Sequence, residues 1–179
     1  GSRSPTHWAG PHPENVSGET FALAVENARE IIRAVKPKRA KLSYEMMPWV
    51  VPDSADSYLD LLRAIDSPAF GVHLDVVNIV NSPRAYFDTT SLIRECFGKL
   101  GPHIMCCHLK DIKLSDGLTV HLDEVLVGEG GFDIATYLRE ADALPQEPPV
   151  LLEHLQTPEE YQRAREYVVD LAGRIGVSL

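Results

Sequence analysis

The chain has little of three things that would each have pointed to a class of protein. It carries only three cysteines in 179 residues, Cys96, Cys106 and Cys107. The count is odd and two are adjacent in an apolar run, so no disulfide framework is expected, and a reducing cytoplasm is the expected setting. Positive charge is scarce: 17 Lys and Arg stand against 26 Asp and Glu, giving a net charge of −9. Nucleic acid is bound chiefly through clustered basic side chains, so it is not an expected partner. Long apolar runs are missing too; none approaches the roughly 20 residues of a membrane span. The first residues show no basic leader followed by an apolar stretch, and no signal peptide is expected. Gly128-Glu129-Gly130-Gly131 lacks the Lys-Ser/Thr of a phosphate-binding loop. It reads as a turn before a helix starting near Asp133.

What is present is the balance of a globular domain, 44% hydrophobic and 24% charged. That is apolar content enough for a core, and the length suits one domain. Four short apolar runs read as strands: Ala40 to Met46, Phe70 to Val77, Ile104 to Lys110 and Val150 to Leu155. Helical spacing appears in Phe21, Val25, Ala28, Ile31, Ile32 and Val35, and again in Tyr161, Ala164, Val168, Leu171 and Ile175. Shorter helices fit Ala55 to Ile65, Thr90 to Leu100 and Ile134 to Ala141. Ser17, Asp53 or Ser54, Asp133 and Thr157 are the candidate N-caps. Lys36-Pro37, Ser67-Pro68 and Gly101-Pro102 mark helix ends. Residues 1–18, rich in Pro and Gly, read as a loop. The strands are nearly continuous in apolar residues, as parallel strands buried on both faces are. Strand and helix alternating at this rhythm means an α/β fold of parallel βα units.

Each strand ends in a residue able to hold a metal: Glu45, Asp75, His108 and Glu153. The C-terminal ends of parallel strands converge on one face, so the four would surround one point. Three carboxylates and an imidazole suit Mn²⁺, Mg²⁺ or Co²⁺, with Zn²⁺ a poorer match. Taken singly, Glu45 or Asp75 serves equally well in a buried salt bridge, and His108 as a hydrogen-bonded core histidine. His73 shares a strand face with Asp75, facing substrate or packed in the core. Lys110 either steadies a substrate oxygen or pairs with Asp111. Cys106 and Cys107 fall on opposite strand faces and read as small core residues. His154 points away from Glu153, and His7, His12, His103 and His121 are loop residues.

The ordered set Glu, Asp, His, Glu resembles that of the xylose-isomerase-like TIM-barrel superfamily of sugar isomerases and epimerases. The strings that carry the resemblance are Tyr44-Glu45-Met46-Met47-Pro48-Trp49, His73-Leu74-Asp75-Val76-Val77-Asn78, Cys107-His108-Leu109-Lys110-Asp111, Gly128-Glu129-Gly130 and Leu152-Glu153-His154. The resemblance covers most of the chain, from about residue 14 to the end. The resemblance implies a single partial TIM-barrel domain over residues 1–179, with a loop over 1–18 and four βα units with a preceding helix over 19–179. Four strands correspond to the C-terminal half of an eight-stranded barrel. A four-stranded sheet has two open edges, so self-association or a missing N-terminal half is expected to complete it.

The function implied is a divalent-metal-dependent sugar or cyclitol isomerase, epimerase or dehydratase, working by proton transfer through an enediolate. Glu45 and Glu153 would be both ligands and the acid–base pair, with Asp75 and His108 as ligands. His73, Asn78, Lys110 and Trp49 would face the sugar substrate; Trp8 is a weaker candidate. Asn78 stands where some members place a further His, which counts against the multi-zinc endonuclease branch. Val125-Leu126-Val127 precede Gly128 where sugar epimerases often carry an Arg. The alternative is a truncated, non-catalytic half barrel that binds a metal or a partner.

Overall fold

Side-chain caps decide where the helices begin. A computed structural model describes residues 2–3 and 10–178; His7 and Trp8 lie outside the described residues. Ser17 accepts the N–H of Thr20 and opens α1 (Gly18–Val35). Ser54, rather than Asp53, caps α2 (Ala55–Ile65), with the Ser57 hydroxyl accepting the Ser54 N–H in return. Ser82 and Pro83 start a short helix that periodicity does not reveal, α3 (Pro83–Phe87), and Asp88 caps α4 (Thr89–Leu100). Asp133 caps α5 (Ile134–Asp142). Thr157 caps α6 (Pro158–Ile175), where Glu160 reaches past the cap to accept the Gln156 N–H at 2.6 Å. Within residues 1–18, Pro13–Val16 form a turn of 3-10 helix.

The strands are β1 (Leu42–Glu45), β2 (Phe70–Leu74), β3 (Ile104–Leu109), β4 (Asp111–Leu114), β5 (Leu122–Val125) and β6 (Val150–Leu152). Four form one parallel sheet in the order β1-β2-β3-β6, while β4 and β5 pair with each other as an antiparallel hairpin. The four strands are each shorter than the apolar runs that announce them; Glu45 and His108 stay in the ladder, while Asp75, Lys110 and Glu153 fall beyond it. β2 is largely buried and β3 mixes buried with half-buried residues, but every residue of β1 is only half-buried and Leu151 of β6 is exposed. The expected burial on both faces is therefore nearly met by β2, only partly by β3 and not by the outer two. Each outer strand has one partner among the described residues.

The longer helices pack on one another in chain order, α1 on α2, α2 on α4, α4 on α5 and α5 on α6. Their apolar stripes meet Val72, Leu74, Ile104 and Leu109 around Leu61, Ile93, Leu100 and Leu138, all fully buried. Each such side chain contributes about 1.5–3 kcal/mol over the exposed state. Between Val72 and His73 the register with β3 slips by one residue, and Met105 falls in the slip. Its side chain lies over Gly71, where a Cβ would collide with it. Among the described residues no helix is long and apolar enough to cross a membrane.

Candidate metal centre

The strand ends do converge. Glu45 ends β1, Asp75 follows β2, His108 is the penultimate residue of β3, and Glu153 follows β6. One ligand atom from each lies within 4.8 Å of the others. Nδ1 of His108 sits at the centre, 3.0 Å from Glu45 Oε1, 2.9 Å from Glu153 Oε2 and 3.6 Å from Asp75 Oδ2.

The fold fixes these groups from behind. Asp75 Oδ1 accepts the N–H of Asn78 at 3.1 Å as the chain turns after β2, which leaves Oδ2 facing inward. The fully buried Tyr137 of α5 donates its hydroxyl to the carbonyl of His108 at 2.7 Å. Tyr58 of α2 accepts the N–H of His73 at 3.0 Å and donates to the Tyr44 carbonyl, tying the ends of β1 and β2. Helices thus hold the backbone of three strands while the side chains remain available.

Burial works against charge here, and the carboxylates reverse it. Burial alone would lower the pKa of His108, but Asp75, Glu45 and Glu153 raise it to about 9. Burial pushes Glu45 up, and the His108 hydrogen bond and charge outweigh it, so the carboxyl lies below its ordinary value. His73 is held below its ordinary value by burial and by His108. Its ring meets that of His108 edge-on at 4.1 Å.

The donor set fits a divalent cation. Distances of 2.9–3.6 Å between Nδ1 and the three oxygens match the edges of a coordination shell with bonds of about 2.1 Å. Asp75 Oδ2 and Glu153 Oε2 are buried and lack an aligned hydrogen bond, although Lys110 Nζ lies 2.8 and 3.2 Å from them. Lys110 meets part of their demand for positive charge, and a divalent cation would meet the rest.

Lys110 is placed differently from one sequence expectation. It does not pair with Asp111. Its ammonium meets Asp75, Glu153, Asn78 Oδ1 at 2.8 Å and Glu124 Oε1 at 3.4 Å. Asp111 turns the other way and accepts the N–H groups of Ile112, Gly128, Gly130 and Phe132. Adjacent residues on an extended chain face opposite sides, and that signal was available. The Gly-rich segment is accordingly the turn that wraps Asp111, and a Cβ at Gly130 would collide with the carboxylate.

Asn78 donates to the Met46 carbonyl at 2.9 Å and reaches Glu45 Oε1 at 3.4 Å, so it braces the centre. Trp49 is exposed in the turn after β1, beside the bridge between Met47 and Val50. Cys107 is buried, but Cys106 is only half-buried and so is not a full core residue. Glu124 on β5 was not anticipated. It bonds Nδ1 of His154 at 2.7 Å. His154 is exposed and does not point away from Glu153: its φ of 60° breaks the alternation of an extended strand, and its Nε2 lies 3.6 Å from Glu153 Oε1. Nothing local distinguishes Glu124 from the other acidic residues of a polar hairpin. Lys110, Glu124, Glu153, His154 and Gln156 line a cavity of about 390 Å³ beside the centre. A larger one of about 550 Å³, against Leu152, Tyr161 and Arg165, does not touch the ligand set.

Known structures share this architecture. A xylose isomerase-like TIM barrel protein from Mycobacterium smegmatis, in complex with magnesium, superposes with a TM-score of 0.69 at 19% identity, over 89% of this chain and 52% of that one. A D-tagatose 3-epimerase-like protein gives 0.70 at 17% identity, over 93% and 61%. A probable 3-DHS dehydratase from Bacillus anthracis gives 0.65 at 19% identity, over 86% and 57%. At these identities the likeness is one of fold, and the chain spans between about half and three-fifths of each protein. No curated protein matches it by sequence at a significant level. The family model for the xylose isomerase-like TIM barrel matches residues 3–171, nearly the whole chain, and the chain belongs to that family.

Proposed function

We propose that this chain carries the metal centre of a divalent-metal-dependent sugar or cyclitol isomerase or epimerase that moves a proton next to a carbonyl through an enediolate. The observation that carries this reading is the convergence of three carboxylates and one imidazole, with two buried oxygens lacking aligned hydrogen bonds. The fold-level likeness to a magnesium complex and to an epimerase-like protein supports it. Glu45, Asp75, His108 and Glu153 would hold Mn²⁺, Mg²⁺ or Co²⁺. When bound, such an ion supplies Lewis acidity that stabilises negative charge developing on the substrate's carbonyl and neighbouring hydroxyl oxygens.

The side chains divide the remaining work by exposure. Asp75 is fully buried and serves as a ligand alone, whereas Glu45 and Glu153 are 26% and 24% exposed and reach a substrate. They stand on the two outer strands of the sheet, so one removes a proton and the other returns it from the opposite side, which gives epimerisation. Asn78 and His73 orient hydroxyl groups, Lys110 presents its ammonium to the cavity beside Glu153, and Trp49 offers an apolar wall.

The test is solvent exchange. The Mn²⁺-loaded chain is incubated with a panel of ketoses and keto-cyclitols in D₂O and followed by proton NMR, beside Glu153→Gln. Deuterium entering next to the carbonyl with the wild type, and not with a variant that still binds Mn²⁺, is the expected result. Absence of exchange from every substrate by a metal-loaded chain would sink the enzymatic reading. It would favour a second one, a non-catalytic half barrel that binds metal or a partner, for which the unpaired outer edges of β1 and β6 speak among the described residues.

A further inference from the structure

Lys110 is the only buried lysine among the described residues, and its ammonium touches the atoms a metal would need. Nζ lies 2.8 Å from Asp75 Oδ2 and 3.2 Å from Glu153 Oε2. These same two oxygens face His108 Nδ1. The ammonium has two further acceptors. Asn78 Oδ1 holds it at 2.8 Å and Glu124 Oε1 draws it from the hairpin at 3.4 Å. Asn78 is in turn anchored to the Met46 carbonyl.

We propose that Lys110 is a built-in counter-cation that shares Asp75 Oδ2 and Glu153 Oε2 with the metal and so sets the affinity of the centre. This inference rests on the metal reading of the site. Two opposed effects follow from one charge. Without metal, Lys110 compensates the fully buried Asp75, which would otherwise be an unpaired buried carboxylate. With metal, it draws on the charge of two ligand oxygens and repels the ion at short range. Removing it exchanges stability of the metal-free protein for tighter metal binding. Glu124, placed outside the ligand set and against Lys110, limits how far the ammonium settles onto the ligands.

The experiment compares the wild type, Lys110→Met and, as a control of equal net charge, Lys113→Met; Lys113 is exposed on β4. Mn²⁺ affinity is read by calorimetry, and thermal unfolding by circular dichroism with and without saturating Mn²⁺. Lys110→Met is expected to bind Mn²⁺ at least tenfold more tightly. It should unfold at a lower temperature without metal and recover most of that loss when saturated; Lys113→Met should match the wild type. Should Lys110→Met fail to fold alone, Mn²⁺ should restore its helical signal. A folded Lys110→Met with equal or weaker affinity overturns the proposal, as does a variant that stays unfolded in saturating Mn²⁺. Binding by the wild type with no gain in the variant removes the lysine inference alone. Absence of binding in both removes the metal reading and this inference with it.

Discussion

Two buried aspartates, just beyond the ends of the neighbouring strands β2 and β3, are treated in opposite ways. Asp111 is surrounded by four backbone N–H donors at 2.8–3.1 Å, from Ile112, Gly128, Gly130 and Phe132. Asp75 receives one, from Asn78, and turns its other oxygen towards His108 and Lys110 without an aligned hydrogen bond. Both are almost wholly inaccessible. The first is a finished structural joint, which docks the hairpin and the Gly-rich turn onto the end of β3. The second faces the cationic Lys110 at 2.8 Å and His108 at 3.6 Å in place of further backbone donors. One buried carboxylate is given wholly to backbone donors, and the other is left to cationic partners with which a metal ion could share it.

Substitutions should separate the two regions. Asp111→Ala leaves several buried N–H groups without an acceptor, and unfolding in urea should show a loss of about 3 kcal/mol or more; a loss under about 1 kcal/mol would erase the contrast. Asp75→Asn keeps the shape and the Asn78 contact but removes a ligand charge. It should weaken Mn²⁺ binding by about a hundredfold in calorimetry while costing less stability than Asp111→Ala. A larger stability loss with metal affinity intact would reverse the assignment.

Asp133 gives a finer test on the structural side. It caps α5 through Thr136 and accepts the Thr90 hydroxyl at 2.6 Å. Burial pushes its carboxyl up, but the hydrogen bonds from Thr136 and Thr90 outweigh that and hold it below its ordinary value. Asp133→Ala should cost about 1 kcal/mol at pH 7. Because the folded value is the lower one, the difference from the wild type should be complete above about pH 4. It should shrink as the pH falls through the folded value. A difference constant down to pH 2 would contradict the carboxylate's role.

The smallest effect concerns the thiols. Burial pushes Cys96 and Cys107 up to about 12, so both should resist alkylation at pH 8 in the folded protein and react in urea. Protection should persist in Asp75→Asn and weaken in Asp111→Ala, as mass spectrometry of the labelled protein would show.

Local chemistry made part of this legible. Ser17, Asp133 and Thr157 cap the helices whose starts they mark, because capping depends on residues three apart. Between Asp53 and Ser54 the sequence leaves the choice open, and the Ser54–Ser57 exchange resolves it. The four strand-end residues could be brought to one point from topology alone, since parallel strands carry their C-terminal ends to one side. The hairpin of β4 and β5 escaped, because Asp111–Leu114 and Leu122–Val125 are short and half polar, with no apolar face long enough to show an alternation. Glu124 escaped with it. The partner of Lys110 escaped for another reason: Asp75 is remote in sequence, and only the packing of β2 beside β3 brings them together.

The central claim is that four strand ends form one cation site. Titrating the chain with Mn²⁺ by calorimetry, beside His108→Ala, tests it most directly. The account predicts saturable one-site binding that falls by about a hundredfold or more when the imidazole at the centre of the three carboxylates is removed. Equal affinity in the folded variant, or no binding by a folded wild type, would contradict it.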